Sequence, residues 1–159
     1  MERSTMQIRR FRASDYPAYE SWFDDELLNE QLGPMDREWL EYVLHDSTGA
    51  QYSILRQAEL VAVVGICLPV DGHAYYFITD LAVRPDLRGE GIGRNALGLL
   101  LAHPDLQDST LWRAGVMPDN PAAQAFFTHL GWARREAQTP FDELIEFEYQ
   151  RQPAVPGFR

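Results

Sequence analysis

The sequence predicts a mixed α+β domain: a central, mostly antiparallel twisted sheet of six to seven strands flanked by about four helices. Three observations carry this expectation. Strand-like runs at 51–56, 60–68 and 74–83 follow one another across short turns, as in a meander. Two amphipathic segments, 91–103 and 120–131, then alternate with apolar strand-like runs. The last run sets Ile145, Phe147 and Tyr149 inward against Glu146 and Glu148 outward, the period of a half-buried strand.

Taken in order, Gln7 to Phe11 is an edge-like strand. Ser14 has the chemistry of an N-cap, with Asp15 and Pro17 in the first turn and Tyr16, Tyr19, Trp22 and Phe23 as an apolar face. Gly33-Pro34 breaks the pattern, and Asp36 can cap a second helix with a stripe of Trp39, Leu40, Val43 and Leu44. Gln57-Ala58-Glu59 and Asp71-Gly72 are the turns of the meander. The helix from Gly91 carries Ile92, Ala96, Leu99 and Leu100 inward and stops at Pro104. After the strand Thr110 to Val116, Asn120-Pro121 opens a helix and Gly131 closes it, with Ala122, Ala125, Phe126, His129 and Leu130 on one face. One domain, residues 1–151, accounts for all of this, and 152–159 is expected to be a flexible tail.

Charge and cysteine usage narrow the function classes. A net charge of −10 argues against a nucleic-acid partner, which demands a basic face. No apolar run approaches membrane-spanning length, and the polar start resembles no signal peptide, so a soluble, cytoplasmic protein with no membrane partner is expected. The single cysteine, Cys67, lies in an apolar run and is expected to be a buried thiol; no metal site is expected. Between Glu20 and Asp46 stand nine carboxylates against one arginine, a segment that would focus a negative potential on a cationic substrate or form two solvated helix faces.

The stretch from Tyr75 to Leu101 carries the strongest chemical signal. A strand runs into a glycine-punctuated loop at a helix start, where unpaired N–H groups and the positive end of the helix dipole converge. That arrangement binds phosphates. A Walker loop is excluded because the chain has no lysine, and Gly89, Gly91 and Gly93 lack the spacing of a dinucleotide fingerprint.

The run Arg88-Gly89-Glu90-Gly91-Ile92-Gly93, preceded by Asp80-Leu81-Ala82-Val83-Arg84-Pro85 and followed by the 120–132 segment NPAAQAFFTHLGW, resembles the GNAT N-acetyltransferase superfamily over roughly Gln7 to Tyr149. The resemblance implies a GNAT-like fold and acetyl-CoA as co-substrate. Backbone N–H groups of Arg88, Gly89, Glu90, Gly91, Ile92, Gly93 and Arg94 would hold the pyrophosphate. Main chain at Leu81, Ala82 and Val83 would bind the pantetheine arm like an added strand and polarise the thioester carbonyl. Asn120 and Phe127 would meet the cofactor on its far side.

The resemblance also implies direct attack by an amine, with a base and an acid. Three positions where relatives carry such groups hold Phe77, Gly115 and Phe127 instead. Asp80, Tyr76 and, through water, the Asp24-Asp25-Glu26 cluster are the catalytic candidates. Asp24, Asp25, Glu26 and Trp22 are the acceptor-site candidates, with Trp22 and Trp39 able to face a cation or to pack in the core. The expected partner is a cationic small-molecule or peptide amine, with homodimerisation an open alternative.

Overall fold

The computed structural model describes residues 5–70, 74–135 and 143–152. Seven strands form one sheet: β1 (Met6–Arg10), β2 (Gly49–Arg56), β3 (Glu59–Cys67), β4 (Tyr76–Val83), β5 (Leu111–Val116), β6 (Ala133–Arg135) and β7 (Ile145–Gln150). Their spatial order is β1-β2-β3-β4-β5-β7-β6, antiparallel throughout except between β4 and β5. Among the described residues five α-helices accompany it: α1 (Tyr16–Ser21), α2 (Glu26–Leu32), α3 (Arg37–His45), α4 (Ile92–Leu101) and α5 (Pro121–His129).

Two of the turn residues between β2 and β3, Gln57 and Ala58, both have positive φ, at 53° and 66°. That backbone suits the twist of a tight hairpin, which the expected turn requires. The Asp71-Gly72 turn and the tail from 153 lie outside the described residues.

Helices cover both faces of the sheet. On one, Tyr16, Tyr19, Trp22, Leu28 and Leu40 pack with Leu60, Val63 and Ala82. On the other, α4 and α5 supply Leu97, Leu100 and Phe127 to a core of Tyr52, Val64, Ile66, Tyr76, Ile78, Trp112 and Phe147. Burial of this apolar surface is the main stabilising term.

Several local expectations are corrected. Ser14 does not cap α1: a single turn of 3₁₀ helix over Ala13–Asp15 precedes it, closed by Asp15, whose carboxylate accepts from Arg12 N at 2.9 Å. Burial pushes Asp15 upward in pKa, but bonds from Arg9, Arg12 N–H and Ser53 outweigh it and hold the carboxyl below its ordinary value. Leu44 is 40% exposed, so the inward stripe of α3 is narrower than expected. The inward face of α5 is turned by one residue: Ala123, Phe126, Phe127 and Leu130 pack on the core, and Ala122, Ala125 and His129 are exposed. Cys67 is exposed, not buried, because it ends β3 between Gly49, which has no side chain to cover it, and Phe77. Burial of part of the thiol, and after it Asp46 and Asp80, raise its pKa, so it is no reactive thiolate.

Candidate functional site

The site begins where β4 and β5 part. β4 pairs in parallel with β5 only at Tyr76–Trp112, Phe77–Arg113 and Ile78–Ala114, while its pairing with β3 continues to Val83. From Thr79 onward, the β5 side of β4 therefore has no ladder partner among the described residues. An unpaired strand edge inside a sheet offers main-chain donors and acceptors to an extended ligand. Leu81, Ala82 and Val83 lie on this free stretch.

Both strands run on into helices at the open end of the cleft. Gly89 and Gly91 have φ of 82° and 81°, and a Cβ on either would meet no atom within 4 Å. The loop is thus open as well as left-handed, which leaves its backbone accessible. Gly91 precedes α4 as its N-cap and offers no side-chain acceptor; the N–H groups of Ile92, Gly93 and Arg94 have no partner among the described residues. By contrast, Asp25 caps Leu28 N at 3.0 Å, Asp36 caps Trp39 N at 3.0 Å and Asn120 caps Ala123 N at 3.2 Å. Three helices close their own N-termini, and α4 presents its dipole end uncapped. Gly93 serves packing: a Cβ there would lie 3.3 Å from the Phe126 ring and 3.7 Å from Val83 Cγ2, so α4, α5 and β4 meet at this residue.

The remaining loop residues are solvent-facing. Glu90 lies 3.8 Å from Arg56, and Arg94 is exposed. Arg88 turns away from the loop to Asp25, with guanidinium bonds of 2.6 and 3.2 Å. Arg88 is accordingly the first cause, and Leu28 N–H the second, of an Asp25 carboxyl held below its ordinary pKa. Asp24 and Glu26 are exposed beside it.

Side chains expected at the chemistry divide sharply. Tyr76 is 1% exposed, stacked on Trp112 at 4.5 Å, and its hydroxyl accepts from Asp108 N at 3.1 Å, so it packs in the core at the start of β4, before the strands part, instead of facing a substrate. Phe127 is 5% exposed and packed against Trp132 and Phe147, so it supports the sheet from within the core instead of lining a ligand site. Trp22 stands edge-on to Tyr19 at 5.3 Å in the core, and only borders a cleft of about 460 Å³ beside α1, lined also by Arg9, Asp15, Glu59 and Arg84. That cleft is separate from the parting of β4 and β5. Phe77 and Gly115 are complementary: a Cβ on residue 115 would fall 2.9 Å from the Phe77 ring, so the ring occupies the space a longer side chain would need.

Asp80 is half-buried on the sheet face covered by α1–α3. Register irregularity between Gly65 and Ile66 places it opposite Gly65 and leaves Thr79 as the extra residue of a bulge. The carboxylate accepts from Gln51 Nε2 at 2.9 Å and Thr79 Oγ at 2.8 Å. Burial raises its pKa, and the two hydrogen bonds oppose that rise without cancelling it. Gln51, in the middle of β2, was not signalled by the sequence, because its contact depends on the register of three strands.

No helix of the described residues is long and apolar enough to cross a membrane, and no group of three or more metal-ligating side chains occurs among them. The family model for the acetyltransferase (GNAT) family matches residues 9–132. Among curated proteins, none matches the chain. A solved acetyltransferase from Thermus thermophilus is 21% identical, with a TM-score of 0.76 over 91% of this chain and 96% of that one. A spermidine N-acetyltransferase chimera from Vibrio cholerae and hSSAT is 14% identical, with a TM-score of 0.74 over 92% and 96% of the two chains. A ribosomal-protein alanine N-acetyltransferase from Escherichia coli is 16% identical, with a TM-score of 0.68 over 98% and 99%.

Proposed function

The chain belongs to the acetyltransferase (GNAT) family, and from that premise we propose that it transfers the acetyl group of acetyl-CoA to a primary amine on a small cationic molecule or peptide. The observation that carries the cofactor half is the uncapped start of α4 beside an unpaired stretch of β4. N–H groups of Ile92, Gly93 and Arg94, with the open backbone at Gly89, Glu90 and Gly91, suit a diphosphate. Free main chain at Leu81, Ala82 and Val83 suits the amide-bearing arm. Asn120 keeps its amide NH₂ for the ligand while its oxygen caps α5. When bound, acetyl-CoA supplies an acyl group activated as a thioester.

Asp80 is the side chain we assign as proton acceptor for the incoming ammonium. It stands where the strands part, and burial lifts its pKa toward the range in which a base both accepts protons and stays ionised. Positioning and main-chain electrostatics supply the rest of the rate. The acidic segment favours a cationic acceptor, although three of its carboxylates, Asp25, Asp36 and Asp46, also hold turns and helix starts.

Thiol release from acetyl-CoA, measured across polyamines, aminoglycosides, amino acids and N-terminal peptides, tests the function. Turnover with a polycation or a cationic peptide supports it, turnover confined to N-terminal peptides whatever their charge assigns the protein to N-terminal acetylation, and tight CoA binding without turnover on any amine reduces it to a binding module. Asp25 is committed to Arg88, so the charge argument rests on its neighbours. Asp24→Asn with Glu26→Gln is expected to raise KM for a cationic acceptor about three-fold and leave that for acetyl-CoA unchanged.

A further inference from the structure

Gln51, Gly65 and Asp80 form one row across β2, β3 and β4, since Gln51 pairs with Gly65 and Gly65 with Asp80. A hydrogen bond between side chains on strands two apart must pass over the strand between them, about 10 Å of sheet. It does so here because residue 65 has no side chain. A Cβ on Gly65 would overlap Asp80 Oδ1 and stand 2.5 Å from Gln51 Oε1, displacing both. Gln51 is itself 6% exposed, so its amide is fixed by packing. Burying an amide inside a sheet is costly unless it is hydrogen-bonded, and the bond it makes is to the Asp80 carboxylate.

We infer that Gln51 is a positioning residue for the transfer reaction, reaching across the gap at Gly65 to fix the orientation and the ionisation of the Asp80 carboxylate. This rests on the assignment of Asp80 as proton acceptor. The Nε2–H donor also favours the ionised carboxylate, opposing its burial. Among the described residues, Tyr19 from α1 and Cys67 from β3 are the titratable groups that interact with Asp80, and Thr79 donates to it from its own strand. Both neighbours titrate above their ordinary values, Tyr19 through burial and then Asp80, so they stay neutral while Asp80 ionises.

Loss of the donor therefore raises the pKa of Asp80. The acid limb of the pH–rate profile moves to higher pH, and the rate lost is regained as the pH rises. The test compares wild type, Gln51→Ala, Gln51→Glu and Asp80→Asn in acetyl transfer from acetyl-CoA to spermidine, or to the best amine of the panel if spermidine is inactive, from pH 5 to 9. Carboxyl-carbon NMR follows the titration of Asp80 in the full chain. We expect Gln51→Ala to lower kcat about ten-fold at low pH with KM for acetyl-CoA unchanged, and Gln51→Glu, with two facing carboxylates, to shift the limb further. Asp80→Asn removes the limb. Gly65→Ala has the same effect as Gln51→Ala if it folds; the Gln51 variants decide the matter if it does not.

An unshifted Asp80 titration in Gln51→Ala overturns the inference. So does a shifted titration with an unchanged acid limb, or a loss of rate that is equal at every pH, which is what a merely structural role would give. Wild type that turns over no amine removes the functional reading and this inference with it. Turnover by wild type that Asp80→Asn does not slow removes the base assignment.

Discussion

The starts of α2 and α4 lie close enough to share an ion pair, yet they are built in opposite ways. At α2, Asp25 closes the helix with its own carboxylate and is held in turn by Arg88. At α4, Gly91 supplies a left-handed turn and nothing else, leaving three N–H groups unanswered among the described residues. A helix that satisfies its own N-terminus has no electrostatic use for an anion; one that does not has a standing demand for it. The difference separates a helix start that is closed from one left open to an anion more clearly than the glycine count of the loop does.

That contrast can be broken most severely by giving α4 what α2 already has. Gly91→Asp brings to α4 a carboxylate that can cap the first turn and repels a diphosphate. The dissociation constant for acetyl-CoA, measured calorimetrically, is expected to rise at least 100-fold, or roughly 3 kcal/mol. Removing a side-chain cap elsewhere has a smaller and different effect. Asn120→Ala should lower stability by about 1 kcal/mol in denaturant melts, the usual worth of such a cap, and weaken acetyl-CoA binding only through its lost amide.

The smallest effect is expected from Asp25→Asn, which keeps an acceptor for Leu28 N–H and gives up the charge. Because Arg88 and then Leu28 N–H lower the Asp25 pKa in the folded state, the stability this residue contributes is present above the ordinary aspartate value. It is lost as pH falls through the lowered one. Wild-type α2 should therefore fray in acid below about pH 4, as read by amide exchange, and Asp25→Asn should remove that pH dependence. An α2 that frays identically in both proteins would show the ion pair to be a solvent-screened contact of no consequence.

Much of this was legible in the chain because the signals are local. Asp36 three residues before Trp39, Asn120 before Pro121, and glycine at 89, 91 and 131 each specify a backbone geometry within a few residues. The α2 helix carries no clear signal, since Asp25, its cap, sits among other carboxylates, and its short run buries only Leu28. The three-residue β6 carries too little pattern to register. The rotated face of α5 reflects a tie: Phe126 and Phe127 are adjacent, and the sheet, not the helix, decides that Phe127 goes deepest. Nothing local joins Gln51 to Asp80 across 29 residues; their meeting follows from strand register and one missing side chain.

The seam between the two halves of the sheet is only three residue pairs long, against six between β3 and β4 and six between β5 and β7. The two half-sheets are therefore joined by few main-chain bonds, and side-chain packing carries much of the junction. Rings of Tyr76 and Trp112, the pair of that seam farthest from the parting, stack with 24° between their planes and add apolar contact to its few ladder bonds. Loss of either ring would take from the junction a packing contact that its short ladder does not replace. Tyr76 thus serves the cleft as part of what holds its two sides together, without lining it.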